Sequence, residues 1–598
     1  MRMRRLRAPI AESPCTQPLN KEELTVPKKS QSESLFGLPL PVTPPAQLIE
    51  AKQREDVTAA RTVEVEIPMR DGVVLAADVH LPAAHQLPAP AIILGTPYDK
   101  SNSTQDTAAF REYGYIGVTF DVRGRGKSEG IWHPWERDGE DGYDVVEWIA
   151  AQEWCTGKVG AIGLSYPGWV VVATVAQQPP HLGAAISSAA PGRWFDELPY
   201  ANGCFYLWHA YWFSLCRRRI TNTHCDTSTL QAMLPVEAIG TKLEAAGPGW
   251  AELMQHDTLD SAWSARRWDG EYDFDVPMLH VTGWHDDTVR GAIHHYEQMD
   301  ATSPARDSQY LLVGPWLHGG CRWPSAEYDG VPFPAAAIDM DGIYARFFDH
   351  FLKGEANGVE DEPRVRLYDQ GTDAWRMPTR WNAGTKWRRV FLAADKALSS
   401  RDPGEIGFES YRYDPMQPNG WALGGDNGSD PPFELTGLEA QSGVLSWTSD
   451  SLTEDLTVHG WSEVDLYAET DRDDTEWHVK LADVDELGCS RWYGWGCLRA
   501  SYAENPRQPA GVTPGELRRY RIALTPLYHT FKEGHKLRLV VASSEFPLFA
   551  RNLNRFEPIP RQSEPLVATN KIHYGRDHPS CLRLNVDLSG GGSSAGRT

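Results

Sequence analysis

Gly163-Leu164-Ser165-Tyr166-Pro167-Gly168 ends the apolar run Gly160-Ala161-Ile162-Gly163 and leads straight into a second apolar stretch, Trp169 to Gln177. A buried strand that turns through a serine directly into a helix is the setting of a nucleophile elbow. There a sharp turn lifts the hydroxyl above a sheet, and glycines leave room for the neighbouring backbone. The second glycine stands three residues after the serine instead of the usual two, so the letters alone also fit an ordinary strand-to-helix turn.

Residues further along the chain discriminate between the two readings. A serine hydroxyl attacks at neutral pH only if a histidine takes its proton, and that histidine needs an acid to fix its tautomer and stabilise its charged form. In α/β-hydrolases the acid and then the histidine come after the serine, each past the carboxyl end of a later strand. Asp286 follows the strand-like Met278-Leu279-His280-Val281, and His318 follows Leu311-Leu312-Val313 through Gly314-Pro315-Trp316-Leu317. Asp287 is a rival for the acid. Among the 19 histidines, His280, His285, His294 and His295 lie nearby, but His280 falls inside its strand and His294-His295 on a predicted helix.

Strand-like Ala91 to Leu94, Tyr115 to Phe120, Gly160 to Gly163, Met278 to Val281 and Tyr310 to Val313 lack clean alternation, as strands buried on both faces do. Helical spacing over Asp138 to Gln152 and Trp169 to Gln177 alternates with them, which predicts an α/β fold on a mostly parallel sheet. An Asp71-Gly72 turn predicts a hairpin from Val63 to Val79. The expected organisation is a poorly structured extension over 1–60, an α/β-hydrolase domain over 61–194 and 271–355, and a Trp-rich helical cap inserted over 195–270. An all-β jelly-roll domain over 356–588, beginning with Arg364 to Tyr368, and a flexible Gly/Ser tail over 589–598 complete it.

The formal net charge of −23 disfavours nucleic acid and anionic membranes as partners. No apolar stretch approaches membrane-spanning length and no export signal opens the sequence, so a cytoplasmic location is expected. Nine cysteines without paired CxxC spacing fit a reduced protein. Cys489 and Cys497 could face each other across a hairpin, but two buried thiols are the default. No Cys/His set has zinc spacing, so neither metal nor cofactor is implied. The glycines of Asp121 to Gly130 do not open a helix as a phosphate loop would; Arg123 and Arg125 are expected to pair with carboxylates such as Glu136 or Asp138.

Six segments taken in order resemble the CocE/NonD hydrolases, which include cocaine esterase, α-amino-acid ester hydrolases, glutaryl-cephalosporin acylases and Xaa-Pro dipeptidyl-peptidases. They are Thr96 to Lys100, Asp121 to Gly130, Asp141 to Trp148, Gly163 to Gly168, Gly283 to Asp286 and Gly314 to His318. Arg518 to Leu524, Phe531 to Ala542 and Phe546 to Asn552 resemble the C-terminal jelly roll of that family, galactose-binding-like in fold, so the resemblance runs from about Val63 to about Leu588.

The resemblance implies that Ser165 attacks, His318 acts as base and then acid, and Asp286 orients it, with an oxyanion hole made by the Tyr166 N–H and the Tyr98 phenol. Where the amino-ester hydrolases carry carboxylates two and three residues past the triad acid, this chain has Thr288 and Val289, which places an ammonium pocket there in doubt; Asp196 and Glu197 are alternative cation ligands. The expected activity is hydrolysis of a small-molecule ester, or of an amide, with an apolar or aromatic acyl group held by Trp169, Trp208, Trp212 and Trp284. Dipeptidyl-peptidase or acylase action, acyl transfer, and a non-catalytic binding role on the same scaffold are the alternatives. The jelly roll offers surface for a homodimer.

Overall fold

The computed structural model describes Gln31–Glu33, paired with Pro39–Pro41, and residues 60–587 except 217–231, 243–246, 267–271, 383, 402–403 and 421–430. The extension apart from that pair, Trp268 and the tail lie outside the described residues.

Ten strands form the first sheet. They are β1 (Arg61–Pro68), β2 (Val74–Leu81), β3 (Ala89–Thr96), β4 (Ile116–Asp121), β5 (Cys155–Leu164), β6 (Leu182–Ser188), β7 (Met278–Gly283), β8 (Gln309–Gly314), β9 (Val365–Asp369) and β10 (Ala374–Arg376). Their order across the sheet is β10-β9-β8-β7-β6-β5-β3-β4-β2-β1. Every pairing from β4 through β9 is parallel, while the β1–β2 hairpin, the β2–β4 pair and the β9–β10 pair are antiparallel. All residues of β3, β4, β7 and β8 are buried, which explains why these segments carry apolar runs without alternation. Helices α1 (Asp138–Ala150) and α2 (Tyr166–Ala176) pack on each other and on the sheet centre. This is the α/β-hydrolase architecture, and β5 and β6, which flank the elbow, sit at its middle.

One strand read with the C-terminal domain pairs elsewhere. Val365–Asp369 is strand β9, parallel to β8 in the catalytic sheet, so the short strand read at Arg364 to Tyr368 extends the first domain's sheet. Its residues alternate neither better nor worse than those of a sandwich strand, and only pairing distinguishes the two.

Between β6 and β7 the chain forms a small antiparallel pair, Tyr200–Ala201 with Cys204–Phe205, then α3 (Trp208–Leu215), α4 (Gly247–Gln255) and a short helix Ser261–Arg266. Trp212, Trp250 and Trp263 are buried in this region. Helices α5 (Val289–Thr302) and α6 (Met340–Phe348) complete the catalytic domain.

From Thr385 onward the described chain is almost entirely β. Thirteen strands form one extended network that includes β11 (Glu476–Val484) and β12 (Ser490–Arg499), a hairpin. Cys489 precedes β12 and is disulfide-bonded, whereas Cys497 keeps a free thiol, so the two do not bridge the hairpin and the expectation of two thiols fails at Cys489. In the same hairpin Leu481 faces Gly494 but Ala482 faces Trp492, which leaves Tyr493 as an extra residue. Such a bulge twists the strand and shifts which side chains share a face.

The two domains are locked together by backbone and charge. Leu207 N–H donates to Leu548 O at 2.8 Å and Ala550 N–H to Phe205 O at 2.8 Å. From α5, the buried Arg290 guanidinium donates to Ala523 O at 2.8 Å and Trp495 O at 3.3 Å and lies 5.8 Å from the Trp495 ring centroid. Truncating it would remove the charged donor to Ala523 O, whereas Trp495 O keeps the Thr525 N–H at 2.7 Å. Arg290→Met is therefore expected to lower stability by about 1.5–3 kcal/mol in urea unfolding; an unchanged midpoint would show that water replaces the guanidinium at no cost.

Candidate active site

The turn between β5 and α2 places Ser165 at φ 67°, ψ −125°, a backbone conformation that costs a non-glycine residue about 1–3 kcal/mol. It persists because both sides are tied down: Ser165 N–H donates to Ser188 O at 3.0 Å on β6, and Trp169 N–H donates to Ser165 O at 2.9 Å in the helix. A Cβ on Gly163 would sit 2.2 Å from the Pro167 carbonyl, and one on Gly168 2.5 Å from Ser188 O. The spacing of three therefore serves as the usual two does, since both glycines are required by close backbone approach.

His318 follows β8 as expected, and its Nδ1 lies 2.8 Å from Asp286 Oδ1 and 3.1 Å from Asp287 Oδ1. The two acids are not equivalent. Asp286 is fully buried and accepts from Thr282 Oγ1 at 2.8 Å, from Thr288 N–H at 3.1 Å, from the Thr288 hydroxyl and, at 3.7 Å, from the Cys321 thiol. Burial would raise its carboxyl, but the imidazole and these donors outweigh that and hold it below the usual range. Asp287 is partly exposed; burial and the neighbouring Asp286 charge raise it, against the pull of His318. For His318 burial opposes protonation, yet the two carboxylates win and hold the imidazolium well above its ordinary value. Here the fields of Asp286 and Asp287 add.

The rival histidines are placed elsewhere or otherwise engaged. His280, inside β7, lies 3.2 Å from Gln309 Oε1; His295, on α5, contacts the Tyr272 hydroxyl and Pro191 O. His285 is boxed by Tyr328, Phe433 and Trp492 and bonded to Gln370, and burial pulls it down to about 3.

Tyr98, just past β3, is buried, shares a hydrogen bond with Ser165 and accepts one from Trp212 Nε1 at 2.9 Å. Burial pushes its phenol well above the usual value, so it remains an O–H donor at neutral pH. Tyr166 opens α2, where backbone N–H groups lack helical acceptors. Its own phenol points away from solvent into a buried network, donating to Asp138 Oδ2 at 2.9 Å and accepting from Trp135 N–H at 3.0 Å and Trp132 Nε1 at 3.2 Å. Burial pushes the Asp138 carboxyl up to about 7.

A cavity of about 790 Å³ is shared by Ser165, Tyr98, His318 and Asp287. Of the four tryptophans expected around a substrate, only Trp208 lines it. Trp169 instead hydrogen-bonds Asp138 and packs edge-on against Trp194, and Trp212 backs Tyr98. Trp284 donates to Tyr368 O at 2.7 Å and stacks on Trp381, on the far side of β7. The missing apolar wall is Trp492, Trp495 and Leu548 from the C-terminal domain, with Leu317 and Met340. The bulge at Tyr493 is the signal that sequence periodicity could not supply: it lets Trp492 and Trp495, three apart, face one cavity.

Other expected partners also change. Arg123 pairs with Asp141 at 2.6 Å and Asp71 at 2.7 Å instead of Glu136 or Asp138, and Arg125 donates to Pro97 O and Cys216 O. Glu197 is no cation ligand, because its carboxylate accepts from the N–H groups of Gly192, Arg193 and Gly291, while Asp196 pairs with Arg193. Thr288 is spent on Asp286, and Val289 is buried in the core, so no ammonium clamp forms after the acid.

The X-Pro dipeptidyl-peptidase (S15 family) model matches residues 71–320, and that of the X-Pro dipeptidyl-peptidase C-terminal non-catalytic domain matches 357–583. The chain is a serine hydrolase similar to the S15 family in both of its domains. The chain is 28% identical to cocaine esterase of Rhodococcus sp. (strain MB1 Bresler) over 566 residues, covering 87% of the chain and 98% of that protein. A crystallised α-amino acid ester hydrolase is 27% identical with a TM-score of 0.78 over 92% of the chain and 100% of its own. An aminopeptidase of a marine-sediment Thaumarchaeota archaeon, 24% identical, shares the fold with a TM-score of 0.81 over 90% of the chain and 98% of its own. Chemically the chain is an ester or amide hydrolase, similar to the CocE/NonD type.

The unequal environments of the two acids make a sharp expectation. Asp286→Asn should cost about 10⁴-fold in kcat, and Asp287→Asn far less. Removing the Asp287 charge lowers the imidazolium pKa, so the acidic limb of the kcat/KM profile should move to lower pH. A limb that stays in place would show that Asp287 does not act on His318.

Proposed function

We propose that this hydrolase cleaves small esters, and amides more slowly, through an acyl-enzyme on Ser165. The observation that carries the reading is the convergence on one cavity of a serine held in a strained turn and a histidine whose Nδ1 is fixed by a buried, fully bonded carboxylate.

With Asp286 on Nδ1, the Nε2 of neutral His318 is the basic nitrogen and takes the Ser165 proton as Oγ adds to the substrate carbonyl. Negative charge then develops on the carbonyl oxygen. The Tyr98 phenol, already within hydrogen-bonding distance of Ser165, and the Tyr166 N–H at the start of α2 stabilise it. The imidazolium, favoured by two carboxylates, returns its proton to the leaving alkoxide; water, activated by the same nitrogen, then releases the acid.

The acyl or leaving group would lie against Trp208, Trp492, Trp495 and Leu548, a surface suited to apolar or aromatic groups. Short aryl and aromatic acyl esters are thus expected to outperform chromogenic Xaa-Pro amides in kcat/KM by more than tenfold; the reverse order would favour dipeptidyl-peptidase action.

Ser165→Ala should abolish turnover with an unchanged circular dichroism spectrum. Tyr98→Phe should slow acylation by about a hundredfold or more, and an unaltered acylation rate in that variant would remove the phenol from the oxyanion hole.

A further inference from the structure

Behind the Trp495 wall of the cavity, four chemically distinctive side chains from three separate strands meet in a closed space. Cys204 comes from the small hairpin that follows β6, Glu476 and His478 from β11, and Cys497 from β12, where it is the register partner of His478. All four are almost fully buried, with relative exposures of 0 to 2%. A sulfur of Cys204, an oxygen of Glu476 and a ring nitrogen of His478 lie within 4.8 Å of one another, and the Cys497 thiol is within hydrogen-bonding reach of Cys204.

Two features make this cluster costly as an ordinary core. The Glu476 carboxylate has His478 Nε2 at 2.9 Å as a partner for Oε2, while its Oε1 has no hydrogen-bond partner among the described residues; neither has His478 Nδ1. Buried polar atoms left in this way lose about 1–3 kcal/mol each unless something satisfies them. The neighbouring cation Arg499 is already engaged, by Asp474 at 2.6 Å and by Glu557 O.

We propose that Cys204, Cys497, His478 and Glu476 form a structural zinc site that clasps the hairpin at the entry of the cap region to the C-terminal domain. Zinc takes Cys, His and carboxylate ligands at about 2.0–2.3 Å in a tetrahedron, so its ligand atoms stand roughly 3.5 Å apart. The ligand atoms of Cys204, Glu476 and His478 lie within 4.8 Å of one another and contract to that span on binding, and the Cys497 thiol, which donates to Ala201 O at 3.4 Å without the metal, turns in to complete the tetrahedron. On binding, the two S–H bonds are replaced by two Zn–S bonds, two protons leave to solvent, and no oxidation state changes. Zn²⁺ with two thiolates, one carboxylate and a neutral imidazole carries one net negative charge, and Arg290, whose guanidinium is bonded to neutral carbonyls, is the adjacent cation to balance it.

The same hairpin is already tethered there. Asn202 donates to Cys497 O at 3.1 Å, and Arg499 N–H donates to Asn202 O at 3.1 Å. Cys204 is far in the chain from Glu476, His478 and Cys497, which meet only through the pairing of β11 with β12, so no local Cys/His spacing announces the site.

Elemental analysis of full-length protein made in zinc-supplemented medium and dialysed without chelator tests the proposal. It should give one zinc per chain, retained in Asp287→Asn and reduced at least tenfold in Cys204→Ser and His478→Gln. Cobalt replacing zinc should show thiolate-to-cobalt charge transfer in the wild type, a readout that does not depend on either variant folding. Zinc-free protein, zinc kept by Cys204→Ser, zinc lost only in Asp287→Asn, or bound cobalt without thiolate absorption would each overturn it. So would peptide mapping that finds Cys204 joined to Cys497 as a disulfide.

Discussion

A single backbone conformation, the positive φ at Ser165, is what the rest of the molecule is arranged to hold. The strain of that turn is offset by the Ser165 N–H bond to β6 and by the helix bond back to its carbonyl, and both need the neighbouring backbone within van der Waals distance. Gly163 and Gly168 are the positions at which that approach occurs. Buried α2, the central location of β5 and the apolar strands on either side give the turn its rigidity, so the long hydrophobic runs serve the site as well as the core.

Electrostatics then divide the labour between two adjacent acids that the sequence alone leaves interchangeable. Asp286 is surrounded by donors and acts as a fixed anion, whereas Asp287 faces the cavity and contributes field. Burial acts on the tyrosine in the same sense as on the carboxyls: it keeps the Tyr98 phenol protonated, which is the state an oxyanion donor requires. The same physical effect thus supports a donor at one position and must be overcome at another, His318.

Legibility in the sequence depends on whether a signal is local. The elbow, the two strand-end residues Asp286 and His318, and the parallel sheet rest on short patterns of buried strand and turn, and these segments do lie together around one cavity. Residue type and proximity to the motifs point to Trp169 and Trp284 as substrate wall, but a bulky aromatic at a strand or helix end has two faces to choose from. Both face the core. The apolar wall of the cavity includes Trp492 and Trp495, more than 300 residues beyond the serine, and depends on a bulge that periodicity does not encode. The strand Val365–Asp369 escapes a local reading for the same reason, since pairing with β8 is a long-range fact.

The central claim is that Ser165 is the residue that becomes acylated. Intact-mass analysis after exposure to a fluorophosphonate probe, followed by peptide mapping, addresses it directly. One covalent adduct per chain, located on the peptide carrying Ser165 and prevented by prior denaturation, is the predicted result. Folded protein that gains no adduct, or gains it on another residue, would contradict the account.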